Sequence, residues 1–89
     1  MANPAADHGL PEMREALAAE LRRRRLEQGL TQAALASRLG TSQSRVAKME
    51  AGEAGVTLDL LVKGLVVLGG SKLDVAKAII RPMPARPGP

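Results

Sequence analysis

The sequence predicts a compact all-α domain of five helices, the second and third of which form a helix-turn-helix. Three observations predict it. Runs rich in Ala, Leu, Glu, Gln and Arg, all good helix formers, are closed by Gly29, Gly40, Gly52 and Gly69-Gly70. Thr31, Ser42 and Thr57 each precede such a run, where a hydroxyl can accept an orphan backbone N–H. The second and third runs are only about two turns long and are joined by a glycine-containing turn, as in the αα unit of that name.

Residues 1–10 read as a tail, because Asn3-Pro4 and Gly9 oppose a helix. Pro11 suits a first helical turn. The first helix covers Glu12 to Gln28, with Met13, Leu17 and Leu21 on one face. Its acidic residues Glu12 and Glu15 stand at the start and its arginines at the end, as the helix dipole prefers. The second helix, from Gln32 to Leu39, buries Leu35 and Leu39. The third, from Gln43 to Ala51, buries Val46 and Met49.

The fourth helix, Leu58 to Leu68, is apolar nearly all round. Leu58, Leu61, Leu65 and Leu68 form one stripe, while Leu60, Val62, Val66 and Val67 cover other sides. Such a helix is buried on more than one face, the second against a fifth helix or another subunit, with Gly64 permitting close approach there. Ser71 and Asp74 resemble a capping box, opening a fifth helix with Leu73, Ala76 and Ile80 as its face. A dimerisation strand is the competing reading of residues 71–81, since Leu73, Val75 and Ile79 alternate. The domain is drawn at 11–81, and 82–89 form a Pro-rich disordered tail.

Composition restricts function. The 89 residues suffice for one domain, which buries only about 60–65% of its unfolded surface. Cysteine is absent, which excludes disulfides and thiolate metal sites and suits a cytoplasmic protein. Aromatic residues are absent too, which removes the usual stacking platform for single strands. No apolar run approaches the ~20 residues of a membrane span, and Met1 to Pro11 lacks the features of a secretion signal. The single histidine, His8, lies in the tail, and no catalytic set, metal-spaced ligands or phosphate-binding glycine loop can be assembled. No catalytic residue, metal or cofactor is expected.

The net charge of +4 is unevenly spread. Between Leu21 and Lys48 stand seven basic residues (Arg22, Arg23, Arg24, Arg25, Arg38, Arg45, Lys48) against Glu27 alone. A basic half of this kind is the footprint of a polyanion binder, although for a charge run alone a solvated helix face is the favoured reading.

The stretch LRRRRLEQGLTQAALASRLGTSQSRVAKMEAGE resembles the Cro/lambda-repressor type of helix-turn-helix, the XRE family. Ala36 stands at the crossing of the two helices, Gly40 at the turn, and Val46 and Met49 at the anchoring positions of the reading helix. With Val46 and Met49 inward, Gln43, Ser44, Ala47 and Lys48 turn outward. Gln can pair with adenine, Lys can reach guanine, and Ala can meet a thymine methyl in the major groove of double-stranded DNA. The resemblance implies that Gln43 and Ser44 sit deepest, and that Gln32 contacts a phosphate at its helix N-terminus. Thr41, Ser42 and Arg45 complete the expected DNA-binding set, Ser42 as a cap first and Arg45 toward phosphate. The resemblance also implies a structural pair between Arg25 and Glu50. One departure is Arg24, where the family is frequently apolar; Leu26 is the candidate to compensate.

The function expected from this is sequence-specific transcriptional regulation, as an autoregulating repressor. One reading helix covers only about 4 or 5 base pairs, so a homodimer on a palindromic operator is implied. Its contact surface would be the surplus apolar residues of the fourth helix and of Leu73 to Ile80. Two alternatives stand beside it. One is an antitoxin resembling the HigA type, which binds a toxin protein and represses its own operon. The other is a protein-interaction module that has lost its DNA face.

Overall fold

The computed structural model describes residues 9–80, and both expected tails lie outside the described residues apart from Gly9, Leu10 and the helix that begins there. Five helices follow one another: α1 (Leu10–Glu27), α2 (Gln32–Leu39), α3 (Gln43–Glu50), α4 (Leu58–Val67) and α5 (Lys72–Ile80). Helix α1 starts at Leu10, one residue before the boundary drawn at 11 and two before the expected helix start at Glu12. Residues 72–80 form a helix, which decides against the strand.

The caps form as their chemistry requires. Thr31 Oγ1 accepts from the Ala34 N–H at 3.0 Å, Ser42 Oγ from Arg45 N–H at 3.1 Å, and Thr57 Oγ1 from Leu60 N–H at 3.2 Å. At α5 the box is reciprocal: the Asp74 N–H donates to Ser71 Oγ and the Ser71 N–H to Asp74 Oδ2. Gly40 ends α2 with φ of +69°, a conformation that a side chain would strain. It lets the chain reverse within two residues and so sets α3 across α2.

The core is aliphatic, built from Leu17 and Leu21 of α1, Leu35 and Leu39 of α2, Val46 and Met49 of α3, and Leu61 and Leu65 of α4. Gly64 faces inward here. A Cβ on it would lie 2.9 Å from Leu21 Cδ1 and 3.3 Å from Met49 Cε. The close approach expected at Gly64 is thus to α1 and α3, and not to a fifth helix or second subunit. Replacing its hydrogen by a methyl would overpack the site.

Helix α5 is rotated relative to the expected face. Val75 and Ala78 pack inward, while Leu73 and Ile80 are 62% and 76% exposed. In this orientation Arg24 Nη2 reaches Asp74 Oδ1 at 3.3 Å, an ion pair between α1 and α5. The departure at Arg24 is therefore resolved by an ion pair. Leu26, the expected compensator, is 55% exposed and does not take its place in the core.

Glu20 is the buried centre of this arrangement. It accepts from Arg23 Nη2 at 2.6 Å and from Arg24 Nε at 2.8 Å. The Arg23 hydrogen bond, more than the opposing burial, holds its carboxyl below the usual range, with Arg24 adding to the effect. Asp74 is lowered as well, chiefly by the Ser71 N–H and hydroxyl. Depressed carboxylates stabilise the fold above their unfolded values, 4.5 and 3.8, and that contribution is lost as pH falls through the lower folded ones. Unfolding midpoints followed by far-UV dichroism are expected to hold steady at mildly acidic pH and to drop below about pH 4.5. Glu20→Gln should be destabilised near neutrality and show a shallower acid decline; coincident acid limbs would assign that decline to other groups.

Candidate functional site

The chemistry of the surface follows from how α3 is held. Val46 and Met49 are fully buried, and their positions fix the helix about its own axis. Gln43, Ser44, Arg45 and Lys48 are then exposed on the opposite side, and Ala47 is half-buried at the edge. Ser42 is exposed with its hydroxyl occupied by the cap, and Thr41 is half-buried, its N–H donating to the Ala36 carbonyl. Ala36 is buried in the core cluster beneath the crossing.

A polar network locks the other end of α3. Arg25 donates through Nε and Nη2 to the two oxygens of Glu50, the latter at 2.9 Å, and through Nη1 to the Leu30 carbonyl at 2.7 Å. Both side chains are over nine-tenths buried. The Glu50 hydrogen bonds hold the Arg25 guanidinium more firmly protonated than usual, against the pull of burial. Gln32 joins them, its Nε2 donating to Glu50 Oε1 at 3.2 Å. One network thus ties the end of α1, the start of α2 and the end of α3. The bidentate fork supplies direction as well as attraction, so the exposed face of α3 is oriented relative to the N-terminus of α2.

The structure sorts the seven cations of the basic half. Arg25 is spent on Glu50, Arg24 on Glu20 and Asp74, and Arg23 on Glu20 and Glu27. Arg22, Arg38, Arg45 and Lys48 are exposed and have no carboxylate within ion-pair distance among the described residues. Two polar depressions flank α3. One, of 320 Å³, is lined by Ser42, Ser44, Arg45, Lys48, Glu53 and the chain at Gly55 and Val56. The other, of 250 Å³, is lined by Arg22, Arg25, Gln32, Ala47, Glu50 and Ala51.

The expected site residues therefore fall in two groups: the exposed residues of α3, and Gln32 beside the Arg25–Glu50 pair. Arg22 was absent from the expected set, although helical spacing distinguishes it. No acid stands three or four residues from Arg22, Arg38, Arg45 or Lys48, whereas Glu20 or Glu27 stands at that spacing from Arg23 and Arg24.

No group of His, Asp or Glu among the described residues has the geometry of a metal site, and no described helix is long and apolar enough to cross a membrane. A family model described as helix-turn-helix matches residues 21–75, more than half of the chain, from the end of the first core turn of α1 to the inward face of α5. Neither a curated protein nor a solved structure matches the chain significantly.

Proposed function

The chain belongs to the helix-turn-helix family HTH_3, the Cro/lambda-repressor type, and from this we propose that it is a sequence-specific regulator of transcription, an autoregulating repressor acting as a dimer on a palindromic operator. The family is a DNA-binding one and not a family of enzymes. The observation that carries the proposal is the outward face of α3. It exposes Gln43, Ser44, Arg45 and Lys48 on a helix too firmly anchored to turn them elsewhere.

In this reading α3 enters the major groove, Gln43 and Ser44 foremost, with Lys48 reaching a base edge and Ala47 a thymine methyl. Arg45, Thr41 and Ser42 meet backbone phosphates. Gln32 keeps one amide hydrogen for a phosphate while the other is given to Glu50. The dimer is formed through side chains that the monomer leaves exposed, Val66 on α4 and Leu73, Ile79 and Ile80 on α5. Two subunits place two reading helices one turn of DNA apart, roughly 34 Å.

Fluorescence anisotropy on duplex DNA from upstream of the protein's own gene, against a scrambled duplex, tests this. Tight binding to the first duplex alone supports autoregulation. Gln43→Ala and Lys48→Ala should each weaken the specific complex by about 1–3 kcal/mol while leaving thermal stability in place. Full affinity in both variants would remove α3 from the reading role.

The antitoxin reading keeps the DNA face and gives the exposed side chains of α5 to a toxin protein. Leu73→Lys and Ile80→Lys separate the two readings. A monomeric variant with weakened operator binding supports the homodimer, and an intact dimer that loses a co-purifying toxin supports the antitoxin.

A further inference from the structure

We propose that Glu53 is a specificity-determining residue of the DNA complex, its carboxylate accepting from the N4 amino group of a cytosine whose paired guanine is met by Lys48. This deepens the proposed function and rests on it, since it requires α3 to lie in the major groove. Three observations carry it. Glu53 lines the 320 Å³ depression together with Ser44, Arg45 and Lys48, and is the one acid among its lining residues. Its side chain is exposed and has no cation within ion-pair distance among the described residues, so neither its charge nor that of Lys48 is spent on the other. Its backbone is fixed. The Gly52 and Glu53 N–H groups donate to the Met49 and Lys48 carbonyls at 3.1 and 3.2 Å, the paired bonds that close α3. The Val56 N–H donates to the Glu53 carbonyl at 3.0 Å, and Arg14 Nε of α1 holds the Val56 carbonyl at 3.1 Å.

The fold gains nothing from an acid at this position. A negative charge just beyond a helix C-terminus faces the negative end of the helix dipole. A carboxylate on a DNA-facing surface is repelled by phosphate as well. A base edge reverses that balance. Phosphate presents acceptors alone, which suit Arg45 and Lys48 and leave Glu53 opposed. A G·C pair presents the guanine N7 and O6 acceptors next to the cytosine N4 donor, and this mixed edge matches an ammonium and a carboxylate sharing one depression. Thymine puts its O4 acceptor where cytosine puts its amino group, so an A·T pair in the same orientation turns attraction into repulsion.

The test selects duplexes from a randomised pool with wild type, Glu53→Ala and Lys48→Ala, and then measures anisotropy on the selected and a scrambled duplex. Wild type is expected to retain one G·C pair per half-site for this contact and to lose about tenfold in affinity when it becomes A·T. Glu53→Ala keeps every backbone bond and the wild-type thermal midpoint. It should lose less than about threefold on that exchange, binding the selected duplex more weakly and the scrambled one more tightly. Lys48→Ala should relax the same base pair. Equal strengthening of both duplexes by Glu53→Ala would reduce the carboxylate to a charge that repels phosphate. That result, an unchanged selection, or relaxation at a base pair other than the one Lys48→Ala relaxes overturns the role of Glu53 and leaves the DNA-binding reading intact. A wild type that selects no duplex even at low salt overturns both.

Discussion

Arg25→Ala is expected to lower the free energy of unfolding by about 3–5 kcal/mol, a large part of the 5–15 kcal/mol available to a domain. The size follows from what remains behind. Glu50, whose side chain is 4% exposed, would keep its charge in the interior with only the Gln32 amide as partner. The Leu30 carbonyl would lose its donor as well. Glu50→Ala should cost a similar amount by stranding the guanidinium. The double replacement Arg25→Met with Glu50→Leu separates the pair's net worth from the penalty of breaking it. Two apolar side chains carry no desolvation cost, so most of the lost stability should return. DNA affinity should not return with it, because Gln32 would have lost the carboxylate that orients it. Urea unfolding followed by dichroism is the measurement, since the chain has no aromatic residue to report by fluorescence. Losses below about 1 kcal/mol in both single variants would mean that water reaches the pair and compensates it.

The second large effect is on binding. Raising salt from 50 to 200 mM is expected to weaken the specific complex by about 10³–10⁵, the range for six to ten phosphates neutralised. The unpaired cations contribute most, because an arginine already neutralised by a carboxylate is not free to neutralise a phosphate and displace a counterion from the DNA. The basic half of each subunit offers Arg22, Arg38, Arg45 and Lys48, so a single chain bound through these four alone reaches a slope of about −3.6. A dimer reaches about twice that. The slope therefore reports stoichiometry as well as charge. A value near −3 would show one chain per binding event, and a salt-insensitive complex would remove the electrostatic basis of the proposed function.

Much of the fold was legible because its signals are local. Thr31, Ser42 and Thr57 announce helix starts through bonds spanning three residues. The positions of Leu35, Val46 and Met49 follow from a 3.6-residue period within one helix. The outward residues of α3 were legible for the same reason, since once Val46 and Met49 point in, Gln43, Ser44 and Lys48 must point out. The Arg25–Glu50 pair spans 25 residues, and no local rule finds it; the family resemblance supplied it.

Elsewhere periodicity ran out. In α5 two apolar stripes compete, Leu73-Ala76-Ile80 and Val75-Ala78, and either could have faced the core. The packed helices bury the second, with Asp74 3.3 Å from Arg24, and leave the first exposed. Gly64 could likewise have served any close approach, and only the packed helices show that Leu21 and Met49 occupy the space.

The sequence by itself determined the first four helices, their caps, the turn at Gly40 and the inner and outer faces of α3, while helix against strand at residues 72–80 was left to the structure. The tertiary structure alone decided the rotation of α5, the neighbours of Gly64, and the place of Arg22 beside Gln32 and Ala47. The physical reason is that helical spacing sets the angles between residues on one helix, whereas the rotation of that helix against another is set by side chains distant in sequence.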